Sequence, residues 1–308
     1  MAGGSVNGPG YLLSLRIKRI FKSMDWIFFF KQTLNSFSLV LFLILIALGL
    51  TIIFGIMRVI NMAHGELMMV GAYTVYAATA AGYSFFVGFI LAPFVAGAIG
   101  IIMERSVIRF LYKRNDLSTL LATWGFSMIL QQVTKLVFGP QPRPILSPFP
   151  GSVHFLGGTY PTYRIFSMFL CLAIIIGVLL LFFKTNYGTR ARATIQNTEM
   201  ADVLGINTKR MFLFAFGFGS ALAGVSGALL APLIGVIPTM GLDFIARAFF
   251  IVVVGGMGNV LGVLGSGLLL GETESIITTI FNGTTAQIVV LVVVIILMLI
   301  KPRGLFSK

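Results

Sequence analysis

The stretch NMAHGE, which begins at Asn61, places an amide, an imidazole and a carboxylate within about one and a half helical turns. The runs on either side, residues 34–57 and 67–103, carry no charge. Ionisable groups between such apolar runs are costly in a membrane and mark solute paths or proton relays. We therefore interpret Asn61, His64 and Glu66 as a polar constriction on a transport route.

A structural role would explain the same residues. Asn61 can cap a helix that follows it, and Glu66 would then lie in the first turns, where the helix dipole favours an acid. Arg58, one turn before Asn61, could neutralise Glu66. Both interpretations stay open here. Neither involves a metal, because one histidine with one nearby carboxylate supplies too few ligands.

Polar side chains also recur at every fourth position between residues 117 and 138, which places them on one face of a helix. They are Thr119, Thr123, Ser127, Gln131 and Lys135. Lipid cannot satisfy such groups, so this face turns toward the bundle interior or toward water. The pattern predicts either hydrogen bonds between helices or the lining of a solute path. We assign Thr123, Ser127 and Gln131 to the path.

A second irregular stretch, Gly255–Asn259, is weaker evidence of the same kind, and it adds Asn259 to the predicted path. The chain has no Gly-Lys pair and therefore no P-loop, and it has no G-x-S-x-G elbow. We expect no catalytic residues and no cofactor bound by this chain. If transport is powered, the motor is another subunit.

The amino-acid composition indicates that these polar groups belong to a polytopic membrane protein. Of 308 residues, 57% are hydrophobic and only 10% are charged, against roughly 25% charged in soluble domains. We predict an all-α, polytopic transmembrane helix bundle with about eight hydrophobic segments. The segments lie near residues 34–57, 62–82, 84–104, 117–138, 165–183, 211–231, 243–271 and 284–300.

Two of these segments are expected to be broken or re-entrant, near 58–66 and 255–259. Short basic stretches mark the cytoplasmic side, and an even number of crossings must separate two stretches on the same side. Three segments separate residues 16–22 from 105–114, and three separate residue 210 from residue 301. Either each middle segment makes two passes or re-enters, or both termini lie outside.

The chain has a net charge of +13, and its basic residues lie beside the apolar segments rather than in one patch. This distribution argues against nucleic-acid binding. Residues 1–25 form an N-terminal extension that predicts an amphipathic helix on the membrane surface or a frayed basic arm. Residues 26–308 form a single transmembrane domain. Within it, 139–164 is predicted as an external loop and 184–210 as a cytoplasmic loop.

The cytoplasmic loop predicts a short helix over Thr194–Leu204 that ends at Gly205, followed by a helix capped by Asn207 or Thr208. Such a helix could be a plain surface loop or a docking surface for a soluble partner.

Three separated motifs carry a resemblance to a known family. "INMAHGELMMVGAY", "TEMADVLGINTKR" and "VVVGGMGNVLGVLGSGLLLGETES" resemble, in this order, motifs of permease subunits of the branched-chain amino-acid type of ABC importers. The resemblance implies a bacterial inner-membrane protein that pairs with a second related permease. It also implies two ATPase subunits, which use ATP and Mg, and a periplasmic substrate-binding protein.

By the same resemblance, residues 194–208 would dock on the ATPase. The coupling residues carried over are Glu199, Ala201, Asp202, Leu204, Gly205, Ile206 and Asn207.

Within that group, "LLATWGFSMILQQ", "FGPQ" and the tail "KPRGLF" look most like the urea-transport branch. Neutral hydrogen-bonding groups at Thr123, Ser127 and Gln131 agree with a small neutral solute. His64 and Glu66 would suit a charged amino acid, so branched-chain amino acids are the alternative substrate. A passive urea-type channel is the alternative from another class.

Overall fold

The structure is a computed structural model that describes residues 26–112, 114, 116–155, 158–302 and 304–306. The predicted interfacial helix over residues 1–25 lies outside the described residues. The described chain is a bundle of α-helices, which confirms the predicted fold class.

The helices follow the predicted segments closely. In chain order they are α1 (Trp26–Met57), α2 (His64–Ala80), α3 (Phe85–Met103), α4 (Arg109–Leu111), α5 (Asp116–Phe138), α6 (Thr162–Lys184), α7 (Asn186–Gln196), α8 (Thr198–Val203), α9 (Thr208–Ile234), α10 (Met240–Gly255), α11 (Val260–Ile280) and α12 (Gly283–Ile300). A π-helical turn, Glu104–Ile108, joins α3 to α4.

Six helical segments of the described chain are long and apolar enough to cross a bilayer. They correspond to α1, the α3–α4 unit, α6, α9, α11 and α12. Helices α2 and α10 have only 17 and 16 residues, and α5 carries the polar stripe. These three helices hold the candidate site.

One predicted segment is two helices. The apolar run at 243–271 divides into α10 and α11 around Gly256–Asn259, where Gly256 and Gly258 have φ of 93° and 88°. Residues with a Cβ rarely adopt this backbone, so the glycines define the turn. The break predicted at 255–259 is confirmed, and the count of eight rises by one.

The core is formed by α1 and α9, which pack against α2 and α3 through small residues. A Cβ added at Gly224 in α9 would lie 2.5 Å from the Cβ of Ala96 in α3. Close approach of this kind drives helix association in lipid, where the hydrophobic effect between helices is absent.

The two ends of the bundle are distinguished by their loops. At one end, called the coupling-loop end, Gly55 of α1 lies against Gly258 and against Ile195 of α7. At the opposite end, Asn35 of α1 accepts a hydrogen bond from Arg164 at the start of α6.

The parity problem is therefore resolved differently in the two halves of the chain. Helices α9 to α12 run alternately between the two ends, because the α10–α11 turn contacts Gly55 and the Leu305 amide donates to the Val254 carbonyl, so Lys301 returns to the coupling-loop end. Helices α1 to α3 make three passes, so Trp26 begins at the opposite end from Arg105.

The region predicted as an external loop contains a short hairpin at the opposite end. Strand β1 (Ser152–Phe155) pairs antiparallel with β2 (Gly158–Pro161), with Ser152 opposite Pro161. Arg143 forms an isolated antiparallel bridge with Val236, which follows α9.

Candidate functional site

The irregular link between α1 and α2 positions the first polar group. Helix α1 ends at Met57, and Arg58 takes a φ of 54° and is exposed. The Asn61 side-chain oxygen accepts a hydrogen bond from the Ala63 amide at 3.1 Å. Ala63, not Asn61, occupies the N-cap position of α2. Asn61 thus stabilises the turn before the helix, and the predicted direct cap is wrong.

Glu66, fully buried in the first turn of α2, joins this helix to the polar stripe of α5. Its Oε1 accepts hydrogen bonds from Gln131 Nε2 at 2.8 Å and from Ser127 Oγ at 3.2 Å. Gln131 Nε2 also lies 3.2 Å from Ser127 Oγ. The stripe therefore faces the bundle interior and makes the predicted hydrogen bonds between helices.

Thr123, one turn earlier on α5, holds the irregular link. Its hydroxyl accepts a hydrogen bond from the Met62 amide at 3.2 Å. The same hydroxyl can donate to the Leu120 carbonyl at 3.0 Å or to the Ile60 carbonyl at 3.3 Å. The non-helical backbone is thus satisfied by protein, as irregular backbone at membrane depth requires.

His64 faces α1 rather than α5. It is fully buried, and its Nε2 lies 3.1 Å from the Ile46 carbonyl. A carbonyl only accepts hydrogen bonds, so Nε2 carries the proton and Nδ1 is an acceptor. A Cβ added at Gly49 would lie 3.2 Å from the ring. His64 therefore packs on α1, on a different side of α2 from the hydrogen bonds of Glu66.

Several buried polar atoms of this region have no hydrogen-bond partner within the described protein. Three belong to the predicted path residues: Glu66 Oε2, Asn61 Nδ2 and His64 Nδ1. Leaving such an atom unsatisfied costs about 1–3 kcal/mol. We call Asn61, Glu66, Ser127 and Gln131 the Glu66 cluster. It holds an acceptor, Glu66 Oε2, and a donor, Asn61 Nδ2, that the described protein does not use, and His64 Nδ1 is a further acceptor on a different side of α2.

A contact that the sequence did not indicate closes the cluster. A Cβ added at Gly241, in the first turn of α10, would lie 2.6 Å from Glu66 Oε2. The N-terminal ends of α2 and α10 therefore both meet the carboxylate, and helix N-termini favour negative charge. Only the glycine itself could have signalled this approach in the sequence.

The predicted pairing of Arg58 with Glu66 is wrong. Arg58 is exposed and Glu66 is buried, and the ion pair recorded in the described chain joins Arg247 to Glu274. The carboxylate is held by neutral donors instead.

Asn259 lies elsewhere. It caps α11, because its side-chain oxygen accepts from the Gly262 amide at 3.0 Å, and its Nδ2 donates to the Phe306 carbonyl at 2.7 Å. These bonds attach the C-terminal segment at the coupling-loop end. The structure does not bring Asn259 to the Glu66 cluster, and its role in a solute path stays a prediction.

The loop at 184–210 contains two helices rather than the single predicted helix over 194–204. Helix α7 ends at Gln196, and Asn197 caps α8 by accepting from the Met200 amide at 2.9 Å. An asparagine at this position favours a cap over a continuous helix. The predicted end at Gly205 is confirmed by its φ of 84°.

The carried-over coupling residues form the end of α8 and the start of α9. The Gly205 amide donates a hydrogen bond to the Asp202 carbonyl, and the Ile206 amide donates to the Ala201 carbonyl. The Asn207 side chain caps α9 by accepting a hydrogen bond from the Arg210 amide. Asp202 accepts a hydrogen bond from the Thr208 hydroxyl at 2.8 Å. Glu199 lies in the first turn of α8.

Apolar side chains of α8 and its C-cap project from this end of the molecule. Met200, Val203 and Leu204 are 55%, 82% and 72% exposed, whereas Ala201 is buried. Arg190 and Arg210 line a cavity together with Leu204, and neighbouring exposed apolar groups beside charged residues are typical of a protein-binding surface. We call Met200, Val203 and Leu204 the α8 patch.

A bundle in which six helices of the described chain are long and apolar enough to span a bilayer belongs to the class of polytopic membrane proteins. A family profile described as "Branched-chain amino acid transport system / permease component" matches residues 32–300, and the chain belongs to that family. It is therefore a permease component and a multi-pass protein of the inner (plasma) membrane.

Curated relatives agree with this assignment. The chain is 30% identical to the high-affinity branched-chain amino acid transport system permease protein LivH of Salmonella typhimurium, across 93% of this chain and 98% of LivH. It is 29% identical to the corresponding protein BraD of Pseudomonas aeruginosa, across 91% and 96%. It is also 26% identical to the permease protein LivM of Escherichia coli, across 98% of this chain and 79% of LivM.

A solved structure shares the fold. The structure of PsaBC from Streptococcus pneumoniae in complex with Fab matches with a TM-score of 0.53 at 11% identity, covering 94% of this chain and 97% of the matched chain.

Proposed function

We propose that this chain is the permease subunit of an ATP-driven importer that moves branched-chain amino acids inward by alternating access. Its partners are a second, related permease, two ATPase subunits and a periplasmic binding protein. The similarity to both LivH and LivM supports two related permeases, since each belongs by name to a branched-chain amino acid transport system.

The α8 patch is the observation that best supports coupling of transport to ATP hydrolysis in partner subunits. Its apolar side chains are exposed at the end of the bundle where α7, the α10–α11 turn and the C-terminal segment meet. ATP and Mg are used by the partner subunits, and closure of the ATPases would push α8. Asp202 and Asn207 attach α8 to α9, a core helix, so a force on α8 reaches the bundle centre.

The Glu66 cluster supports a polar route through the bundle. Glu66 Oε2 and Asn61 Nδ2 are buried and unpartnered within the described protein, so a passing solute could donate to one and accept from the other. Weak contacts of this kind suit transport, because tight binding would slow release. The permease performs no covalent step in this scheme.

Urea is the second candidate substrate. The same two atoms would accept an amide N–H and donate to a carbonyl, and Ser127 and Gln131 are neutral neighbours. The hydroxyl and amide groups of these neighbours are, however, already bonded to Glu66. The family description and the names of the relatives favour the amino acids.

The test is to purify this chain together with its partner subunits and to measure ATP hydrolysis by the assembly in the presence of the binding protein and a series of solutes. Leucine, isoleucine and valine should stimulate hydrolysis, and urea should not. Stimulation by urea alone would select the other substrate. Solute flux through this chain without any attached ATPase would instead identify a passive channel.

A further inference from the structure

A polar cavity lies at the opposite end of the bundle, away from the Glu66 cluster. It has a volume of about 280 Å³ and is lined by residues of α1, α6, α10, α11 and α12. No residue of α2 or α5 lines it. Its size is near the lower limit of small-molecule pockets, which are roughly 300–1,000 Å³.

One wall of the cavity carries charges of both signs. Arg247 Nη1 lies 3.1 Å from Glu274 Oε1, and their side chains are 32% and 18% exposed, so a solute can reach both. Arg164 lines the cavity as well and donates to Asn35 Oδ1 at 2.6 Å. A guanidinium has five N–H donors, so Arg247, and Arg164, which also hydrogen-bonds Tyr160, keep donors for a carboxylate.

The facing wall, formed by α1, is polar at Gln32, Asn35 and Ser36 and apolar further along the helix. Leu39, Val40 and Leu43 line the apolar part, and the close packing of α1 against α11 fixes its shape. A Cβ added at Gly271 in α11 would lie 2.2 Å from Val40 Cγ2, and the hydroxyls of Ser36 and Ser275 bond across the same two helices.

We propose that this cavity is an entry subsite that binds the zwitterion of an aliphatic α-amino acid. Arg247 and Arg164 would take the carboxylate, Glu274 would take the ammonium group, and Leu39, Val40 and Leu43 would contact the side chain. Urea has no charge and no apolar arm to satisfy this arrangement. The inference rests on the proposed importer function and names where its substrate first meets the permease.

The position of the cavity agrees with that role. It lies beside Arg164 and Asn35, at the end opposite the α8 patch, so a solute released there would enter on the side opposite the ATPases. Arg247 belongs to α10, whose first turn contacts Glu66. One helix therefore connects the entry subsite with the polar cluster.

The experiment measures equilibrium binding to the purified permease–ATPase assembly without the binding protein, so that any selectivity belongs to the permease. Radiolabelled leucine is competed with leucine, with leucinamide, which lacks the carboxylate, and with 4-methylpentanoate, which lacks the ammonium group. The wild type should prefer leucine over each analogue by about tenfold, the discrimination equal to ~1.4 kcal/mol.

The variants separate binding from structure. Arg247→Gln should remove the preference for leucine over leucinamide and keep the preference over 4-methylpentanoate. Glu274→Gln should do the reverse. Glu272→Gln, two residues away on α11 and outside the cavity lining, is the matched control and should keep both preferences.

Two results would overturn the subsite. One is the absence of saturable leucine binding to a wild-type assembly that still hydrolyses ATP. The other is a parallel loss of affinity for all three compounds in both charge variants, which is the behaviour of an ion pair that only stabilises the fold. Failure of the importer function would look different, because no ATPase subunits would copurify with the chain.

Discussion

The Glu66 carboxylate is asymmetric. One oxygen receives two hydrogen bonds from α5, and the other faces the first turn of α10 without a partner in the described protein. Hydrogen bonds to a charged group contribute about 1.5–3 kcal/mol each. The first oxygen therefore serves the fold, and we assign the second to the solute.

This division predicts the effect of Glu66→Gln. The amide oxygen can still accept from Gln131 and Ser127, but an N–H group replaces the free acceptor. We expect near-normal abundance and a transport rate per assembled complex lowered about tenfold, equivalent to ~1.4 kcal/mol in the transport barrier. The check is uptake in proteoliposomes, normalised to assembled protein.

Thr134→Val is the control, because the Thr134 hydroxyl donates its hydrogen bond within α5, to the Leu130 carbonyl. A fall of uptake in step with abundance would leave Glu66 a purely structural role.

Gly241 offers a steric test of the same site. An alanine there would place Cβ 2.6 Å from Glu66 Oε2 and 2.6 Å from the Gly65 carbonyl carbon. Overpacking of this kind costs about 1–3 kcal/mol, so Gly241→Ala should lower the thermal unfolding temperature. Gly177→Ala in α6 is the matched control, since no heavy atom lies within 4 Å of its added Cβ. Equal melting curves for the two variants would contradict this packing.

At the scale of elements, α8 is short, capped at both ends and apolar on its outer side. Leu204→Asp should not disturb folding, because the side chain is 72% exposed. It should reduce copurification of the ATPase subunits and ATP-driven uptake at least tenfold, as loss of an apolar anchor with ~1.4 kcal/mol or more would do. Thr189→Asp on α7, also exposed, is the control and should copurify normally. Retained coupling in Leu204→Asp would show that α8 is an ordinary surface loop.

Elements were predictable where one physical signal dominates. Apolar length identified the spans, and glycines identified the break between α10 and α11 and the end of α8. The fourth-residue polar pattern of α5 correctly placed its face toward the interior. The asparagine cap at Asn197 was missed, because the helical pattern continues through it.

The long-range contacts were not predictable. Gly241 meets Glu66, and Phe306 meets Asn259, across sequence separations that no local pattern encodes. Arg58 was placed near Glu66 by helical spacing, but the left-handed backbone at Arg58 ends the helix there. The cavity between α1 and α11 also depends on packing alone.

The alternating direction of the helices determines which loops of the molecule lie on the same side of the membrane. Starting from the coupling loop, α9 leads to the opposite end, α10 returns, α11 leads out again and α12 brings Lys301 back. The β1–β2 hairpin and the turn between α11 and α12 must then share one side of the membrane. The coupling loop must lie on the other side, where its basic residues agree with the positive-inside rule.

Single cysteines test this arrangement. In a Cys171→Ala background, Ser152→Cys in the hairpin and Thr284→Cys at the start of α12 should react with a membrane-impermeant maleimide added from the periplasmic side, because both positions are exposed. Thr189→Cys should react only in inverted vesicles. Retained uptake in each variant is the control for folding. If Thr284→Cys reacted from the cytoplasmic side, α10 and α11 together would make a single pass instead of two. The entry subsite, which includes Glu274 and Gly283, would then lie on the wrong side to receive a solute from outside.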